Sequence, residues 1–544
     1  MKLLSLKIND SFSSLFDGFE LNFRNNFENV DSEDWSQFHP FCFVGLNGSG
    51  KSNVLEALAN IFYHIEGCVN VNQPDNFKEF FSVKESSPNA YELKYYITPK
   101  TVDIYSIEKM VKVSIYKQIN QAPTMEIAEY PFDGASSTQI IPIIADKEKK
   151  IPAGAKIYLP DLIIGYSSGE NEVLSIPFLK TRLLHFDEYV EDLKRNIKYN
   201  EPESNLLYID YEMSQAVLLS NFIFQDADVL EPLDTELGIK EIKRFRMNLN
   251  HHLIGEHQIL AQYNDKISAF KNCATTYFED EENLTLDFWI TEVSKKAFKK
   301  NFKSIIDLFQ AFQILYTLNY RSVNNDIKSE VYQSKGYYTD GKMATPSPRE
   351  KVFYFLDFYI EKQINDKGEI KKLLLKNLSD GEQQFLHTIG ICLMLKGKSA
   401  LLLLDEPETH FNPDWRSKFI STLKTSLEKS GSNNLRRDIL ITSHSPFIIS
   451  DCYPNKVIIF ERDKEPKKAE ELPINTYGTS VNLLTTRIFG KKETIGKFSL
   501  DKIDKFRKEF YSGGNPDEIK ARLNEELGDS IEKLIFIKEM FSKQ

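Results

Sequence analysis

Residues 40–52 read Pro40-Phe41-Cys42-Phe43-Val44-Gly45-Leu46-Asn47-Gly48-Ser49-Gly50-Lys51-Ser52. The apolar run 41–44 suits a buried parallel strand. After the loop, Val54, Leu55, Leu58, Ile61, Phe62 and Ile65 recur at helical spacing, and Gly67 offers a stop. Between strand and helix, 45–52 fits G-x-x-x-x-G-K-[ST], a pattern whose backbone N–H groups can point inward and cradle phosphates. Gly45, Asn47, Gly48, Ser49 and Gly50 form the cradle. Lys51 is expected to neutralise the β- and γ-phosphates and Ser52 to bind Mg²⁺. The helix beginning at Ser52 adds its positive end. An accidental Gly-rich turn is the competing reading. The strand before the loop and the amphipathic helix after it argue against that reading.

Upstream, Leu4, Leu6 and Ile8, then Phe19, Leu21 and Phe23, alternate as two strands joined by a polar turn. The apolar start is broken by Ser5, Lys7, Asn9 and Asp10, so it lacks the core of a signal peptide. Downstream, 91–97, 111–117 and 162–166 read as strands. Residues from about 175 to 335 turn helical and charged, and 333–349 carry loop chemistry. Strands resume at 353–360, and 490–544 read as helical and polar. The chain of 544 residues has formal net charge −11, 41% hydrophobic and 27% charged residues, the balance of a globular protein. An acidic chain is not a whole-surface nucleic-acid binder. No apolar stretch approaches the ~18 residues of a membrane span. Five cysteines, with no CxxC and no zinc-spaced His, fit small core residues in a reducing cytosol, so the expected location is cytoplasmic.

The second half of the chemistry lies between 378 and 446. Residues 400–406, Ala-Leu-Leu-Leu-Leu-Asp-Glu, form an apolar strand ending in two acids. A carboxylate at such a strand tip suits Mg²⁺, which assigns Asp405 to the metal. Glu406 is placed to polarise an attacking water. Ser379-Asp380-Gly381-Glu382 precedes a helix and offers an anion site at its N-terminus. Ser379 with Glu382 is also a capping box, and both roles can hold at once. His444 follows the apolar run 439–442, where it can hydrogen-bond a γ-phosphate. His410 reads as a structural residue near a subunit interface.

The order phosphate loop, Leu378–Glu382, Asp405-Glu406 and His444 resembles that of ABC-type ATPases, in particular the RecF- and SMC-like heads. Asp380 and Glu382 stand where the usual LSGGQ signature has Gly and Gln. The resemblance implies a lid loop, for which residues 165–172 are the candidate, with Asn171 or else Gln118 supplying an amide. A plain capped turn is an equal alternative there. The fold this resemblance implies is α/β. It is an ABC-type head with a P-loop mixed sheet, flanking helices and an antiparallel β subdomain, interrupted by a mainly helical insertion. The corresponding divisions are 1–174, 175–345, 346–489 and 490–544. The resemblance also implies ATP and Mg²⁺ as cofactors. It implies a homodimer or higher oligomer sandwiching two ATPs, with Ser379, Gly381 and Glu382 completing the partner's site. The catalytic set would be Lys51, Glu406 and His444, and the metal set Ser52 and Asp405.

The signature variant and the run from Glu406 through His410 to Pro413 resemble, more narrowly, the AAA-family ATPases of bacterial antiphage defence, the PtuA type of Septu and retron-associated systems. That family pairs its ATPase with a separate HNH nuclease (PtuB-like) and, in retrons, with a reverse transcriptase and its msDNA. Only about a hundred residues follow His444, too few for a Toprim nuclease domain. A RecF/SMC-like DNA-repair or DNA-clamping ATPase is the alternative. For it, nucleic acid would meet the basic clusters Lys295, Lys296, Lys299, Lys300, Lys303 and Lys240, Lys243, Arg244, Arg246 of the insertion. Solvated helix faces are the favoured reading of both clusters.

Overall fold

The computed structural model describes residues 1–24, 38–102, 106–132, 137–168, 172–199, 202, 204–210, 212–334, 343, 345–364, 368–395, 397–429, 437–491 and 493–542. A seven-stranded sheet runs in the order 467–468, 457–460, 41–45, 437–442, 400–405, 162–167, 206–208. Every neighbouring pair is parallel except the first. Parallel sheets are covered on both faces, which is why these strands are continuously apolar rather than alternating. Phe41–Gly45, Ala400–Asp405 and Arg437–Thr442 are buried at every residue. Asp405 lies level with Thr442 on one side and Ser167 on the other.

A second sheet is antiparallel throughout and runs 20–22, 2–8, 91–97, 111–117, 124–129, 139–141. The helix Lys51–Val69 packs between the two sheets. Its Val54, Leu58, Ile61 and Phe62 share one apolar cluster with Leu3, Leu6 and Tyr95 of the antiparallel sheet and Phe43, Leu403 and Leu440 of the parallel one. The spacing predicts one apolar face, but the helix is buried nearly all round, Glu56, Asn60, His64 and Glu66 included. The first hairpin is tied to the strand Arg437–Thr442 by a buried ion pair, Arg24 Nη1 to Asp438 Oδ2 at 2.6 Å.

Within 175–345 the helices Glu172–Lys194, Ser214–Phe224, Ala227–Leu237, Asn264–Cys273, Glu292–Asn301, Ile305–Leu318 and Asn325–Gln333 dominate. Two expectations need correction there. Ile239–Asn250, whose basic residues were read as a helix face, is a strand in a five-stranded antiparallel sheet ordered 276–279, 283–289, 239–250, 353–363, 370–374. Its pairing with Phe353–Gln363 carries this sheet across the boundary read at 345/346. The helical reading fails because from Phe245 onward the apolar residues alternate: Phe245, Met247 and Leu249 are buried while Arg244 and Arg246 are not. At the C-terminus, Lys497–Tyr511, Pro516–Glu526 and Ile531–Ser542 pack together around Ile503, Phe506, Leu523 and Phe536. Among the described residues, no helix is long and apolar enough to cross a membrane.

Candidate active site

The loop after Phe41–Gly45 folds through three glycines with positive φ: Gly45 at 148°, Gly48 at 73° and Gly50 at 96°. At Gly45 a Cβ would sit 2.3 Å from the Phe460 carbonyl oxygen, so the neighbouring strand leaves no room for a side chain. The helix from Lys51 has no side-chain cap and no acid in its first turn. Its first N–H groups are therefore open to an anion. Lys51 folds back over the loop and donates from Nζ to the carbonyls of Gly45 and Leu46, each at 3.0 Å. Burial pushes its ammonium pKa down, while Glu406 and Asp405 hold it up. Ser49 Oγ is buried without a hydrogen-bond partner among the described residues, and Asn47 is exposed.

Sheet register brings the two halves of the chemistry together. Ser52 Oγ donates to Asp405 Oδ1 at 2.7 Å, and Thr442 Oγ1 donates to the same oxygen at 2.6 Å. The next residue, Glu406, has φ 47°. This left-handed conformation costs a non-glycine residue about 1–3 kcal/mol. Hydrogen bonds from Glu406 N to Thr442 Oγ1 at 2.9 Å and Thr442 O at 3.2 Å hold it there. Glu406 Oε1 lies 3.2 Å from His444 Nε2. The His444 hydrogen bond holds the Glu406 carboxyl below its ordinary range against partial burial. Lys51, Ser52, Asp405, Glu406 and His444 thus share one end of the parallel sheet.

Ser379 and Glu382 make the capping box of the helix Asp380–Met394. Ser379 N donates to Glu382 Oε2 at 2.7 Å, and Glu382 Oε1 also pairs with Lys362 on the insertion sheet. Gly381 packs against the loop after Glu406, where a Cβ would lie 2.7 Å from His410 O. Ser379 itself is exposed. Among the described residues, none of the hydrogen bonds of Ser379 or Glu382 reaches the phosphate loop. His410 N donates to Gln384 Oε1 at 3.0 Å, a structural contact to the same helix. Asn171 falls outside the described residues, although the strand Leu162–Ser167 that leads to it flanks Asp405. Gln118 lies at the end of a strand of the other sheet, where its carbonyl accepts from Lys117.

Three participants escaped the sequence reading. Thr442 bridges Asp405 and Glu406; its place before Ser443-His444 was the available signal. Glu408 is buried and accepts from Ser443 Oγ, and burial raises its carboxyl to about 7. Arg462 Nη2 would lie 3.2 Å from a Cβ on Gly48, so a guanidinium stands over the loop.

The oxygens of Ser52 and Asp405 form a hard donor pair of the type Mg²⁺ prefers, beside uncapped N–H groups, so the residues present fit a metal–nucleotide complex. Residues 286–450 match the family model described as "AAA domain, putative AbiEii toxin, Type IV TA system". The matched segment carries Asp405, Glu406 and His444, while Lys51 and Ser52 lie before it. The chain is 30% identical over 120 residues to protein ea59 of Escherichia phage lambda. It is 28% identical over 131 residues to the Septu protein PtuA of Bacillus thuringiensis. These stretches take in 22% and 31% of the two relatives' lengths and 22% and 23% of this chain. Among solved structures, an SMC head bound to the C-terminal winged-helix domain of ScpA overlaps 86% of this chain and 97% of its own, at 11% identity and TM-score 0.33. Strand order and the phosphate loop, rather than that overlap, define the architecture. It is an α/β fold in which a mixed seven-stranded sheet carrying the phosphate loop packs, across the helix Lys51–Val69, on an antiparallel sheet.

Proposed function

We propose that this chain binds Mg-ATP and hydrolyses it at composite sites between two copies, and that nucleotide state governs a separate nuclease of the HNH class. The observation that carries the catalytic part is the convergence of Lys51, Ser52, Asp405, Glu406 and His444 at one sheet end, across Ser52–Asp405 and Glu406–His444 contacts of 2.7 and 3.2 Å. On binding, Lys51 would leave the loop carbonyls for the phosphates, and the loop and helix N–H groups would take the remaining oxygens. The Glu406 carboxylate, held ionised by His444, would accept a proton from the attacking water. His444 would orient that carboxylate and face the γ-phosphate. Mg²⁺ at Ser52 and Asp405 would supply charge neutralisation.

The composite site is supported by the exposed Ser379, which stands at a helix N-terminus with, among the described residues, no hydrogen bond to its own phosphate loop. In a dimer, Ser379 and Gly381 would face the partner's nucleotide. Similarity to PtuA supports the defence role and the nuclease partner, and retron-associated assembly with a reverse transcriptase and msDNA belongs to the same reading.

Glu406→Gln tests the proposal. It should bind ATP, turn over at least a hundredfold more slowly and accumulate as an ATP-dependent dimer in light scattering. Wild-type turnover from a monomer would overturn it.

A second reading, a DNA-clamping ATPase, draws on Lys296, Lys299, Lys300 and Lys303, which are exposed with no carboxylate within 4 Å among the described residues. Duplex-DNA affinity that falls steeply with salt, and falls again when these lysines are replaced, would favour it. The other basic cluster does not help that reading. Arg244 and Arg246 both pair with Asp287, Lys243 pairs with Glu241 and Glu361, and Lys240 pairs with Asp234.

A further inference from the structure

A cavity of about 320 Å³ lies on the far side of the phosphate-loop helix, among residues the ATPase chemistry does not use. Its walls come from the C-terminal part of Lys51–Val69, the short helix Asp75–Phe80 and the segment after it, Glu172–Lys194, and Asn325–Gln333 of the insertion. The volume falls at the lower end of the range for small-molecule sites.

Five aromatic rings line it: Tyr63, Phe77, Phe80, Phe81 and Tyr332. The Phe80 and Tyr332 rings have centroids 6.5 Å apart and planes within 19° of parallel, so the wall offers two nearly parallel aromatic surfaces. Tyr332 is held in place by its hydroxyl, which donates to Asp187 Oδ2 at 3.0 Å, while Lys328 pairs with Asp187 Oδ1 at 2.8 Å.

The polar groups of the cavity are incompletely used. Lys180 is 6% exposed. Its ammonium donates to the Ser334 carbonyl and lies 5.6 Å over the Tyr63 ring. No carboxylate pairs with it among the described residues, and an ammonium has three donors. A buried cation so sparsely satisfied is costly unless it finds further acceptors. Burial lowers its pKa to about 8. Two further buried atoms, Ser334 Oγ and His64 Nδ1, have no hydrogen-bond partner among the described residues. His64 Nε2 sits 3.1 Å from Ser82 O, and burial drops the imidazole pKa to about 4, so the ring is neutral. Buried polar atoms are nearly always paired, and orphans on a cavity wall call for a ligand with several donors and acceptors on its edge.

The exposed rim carries Glu79 and Glu85, which disfavour a free phosphate or carboxylate and suit hydroxyl donors. The combination specifies a flat ring with polar edges, an acceptor for Lys180 and hydroxyls for the rim. From this we propose that the cavity is a binding site for a nucleoside, with the base between the aromatic walls and against Lys180, and the ribose toward Glu79 and Glu85. The site touches both the phosphate-loop helix and the helix that follows the strand beside Asp405, so occupancy would be felt at the ATPase end.

The test is calorimetric titration of the full chain with adenosine, guanosine, cytidine and uridine, in saturating ADP. Nucleosides have no phosphate for the loop, so the result does not depend on ATP turnover. At least one should bind one per chain. Lys180→Met, with an unchanged circular dichroism spectrum, should weaken that binding tenfold or more. Gln333→Trp, a rim substitution at an exposed position, should also weaken it, and decides the matter alone if Lys180→Met does not fold. No binding by any of the four, or wild-type affinity in both variants, would overturn the proposal.

Discussion

In the proposed site, Lys51 is the residue on which nucleotide affinity would turn. In this structure its ammonium satisfies two loop carbonyls, the groups it would exchange for phosphate oxygens. Removing one partner of a close, desolvated charge pair typically costs about 2–5 kcal/mol. Lys51→Ala should therefore lose ATP affinity by at least thirtyfold in equilibrium binding, with little change in fold. Normal ATP affinity in that variant would refute the phosphate-loop assignment. The role of Lys51 was legible because it depends on seven neighbours in sequence. The roles of Thr442 and Glu408 were not, because each acts across a strand pairing 35 or 37 residues distant.

At the scale of elements, the helix Lys51–Val69 shows what tertiary context does to a local pattern. Periodicity predicts a single apolar face, yet Glu56, Asn60 and His64 on the other side are buried too, and Glu66 at the edge of the apolar face accepts from Asn205 N at 2.9 and 3.1 Å. Burial raises its carboxyl to about 7, with the Ser204 and Asn205 hydrogen bonds opposing. An acid with a raised folded pKa binds its proton more tightly in the native state. Its contribution is fully present below the unfolded pKa of about 4.5 and is lost as pH rises through 7. Glu66→Gln cannot titrate. Its thermal midpoint should therefore gain on wild type by a few degrees between pH 5 and pH 8. A midpoint difference that stays constant across that range would contradict the burial of this carboxyl. The insertion gives the opposite lesson. Ile239–Asn250 carries four cations, and their density masked a strand: Arg244 and Arg246 pair with Asp287 on the neighbouring strand, Lys243 with Glu361 on the other neighbour, and Lys240 with Asp234 of the preceding helix.

For the whole molecule, the decisive feature is that, among the described residues, the exposed Ser379 helix terminus and the phosphate loop make no hydrogen bond within one chain. A second copy would bring them together. Lys51→Ala and Ser379→Arg subunits should each be inactive alone. When mixed, they should regain turnover to at most the level of one intact site in two. The intact site would take Lys51 from one copy and Ser379 from the other. Loss of an in-trans electrostatic group is worth roughly 10²–10³ in rate. Full ATPase activity in either single variant would rule out the composite site.

Short-range chemistry was determined by sequence alone. A Gly-rich loop, an acid-tipped apolar strand and a capping box each depend on a few adjacent residues, and each is where its local pattern placed it. Only the tertiary structure decided that Arg437–Thr442 lies between Phe41–Gly45 and Ala400–Asp405, so that Ser52 meets Asp405 across 353 residues. It also decided that the five-stranded sheet joins the insertion to the strand leading toward Ser379. Strand partners are chosen by burial over the whole chain, and that choice leaves no periodic trace in any one segment. The loop at Gly45–Ser52 names the ligand, and the sheet around it decides which distant side chains can act on that ligand.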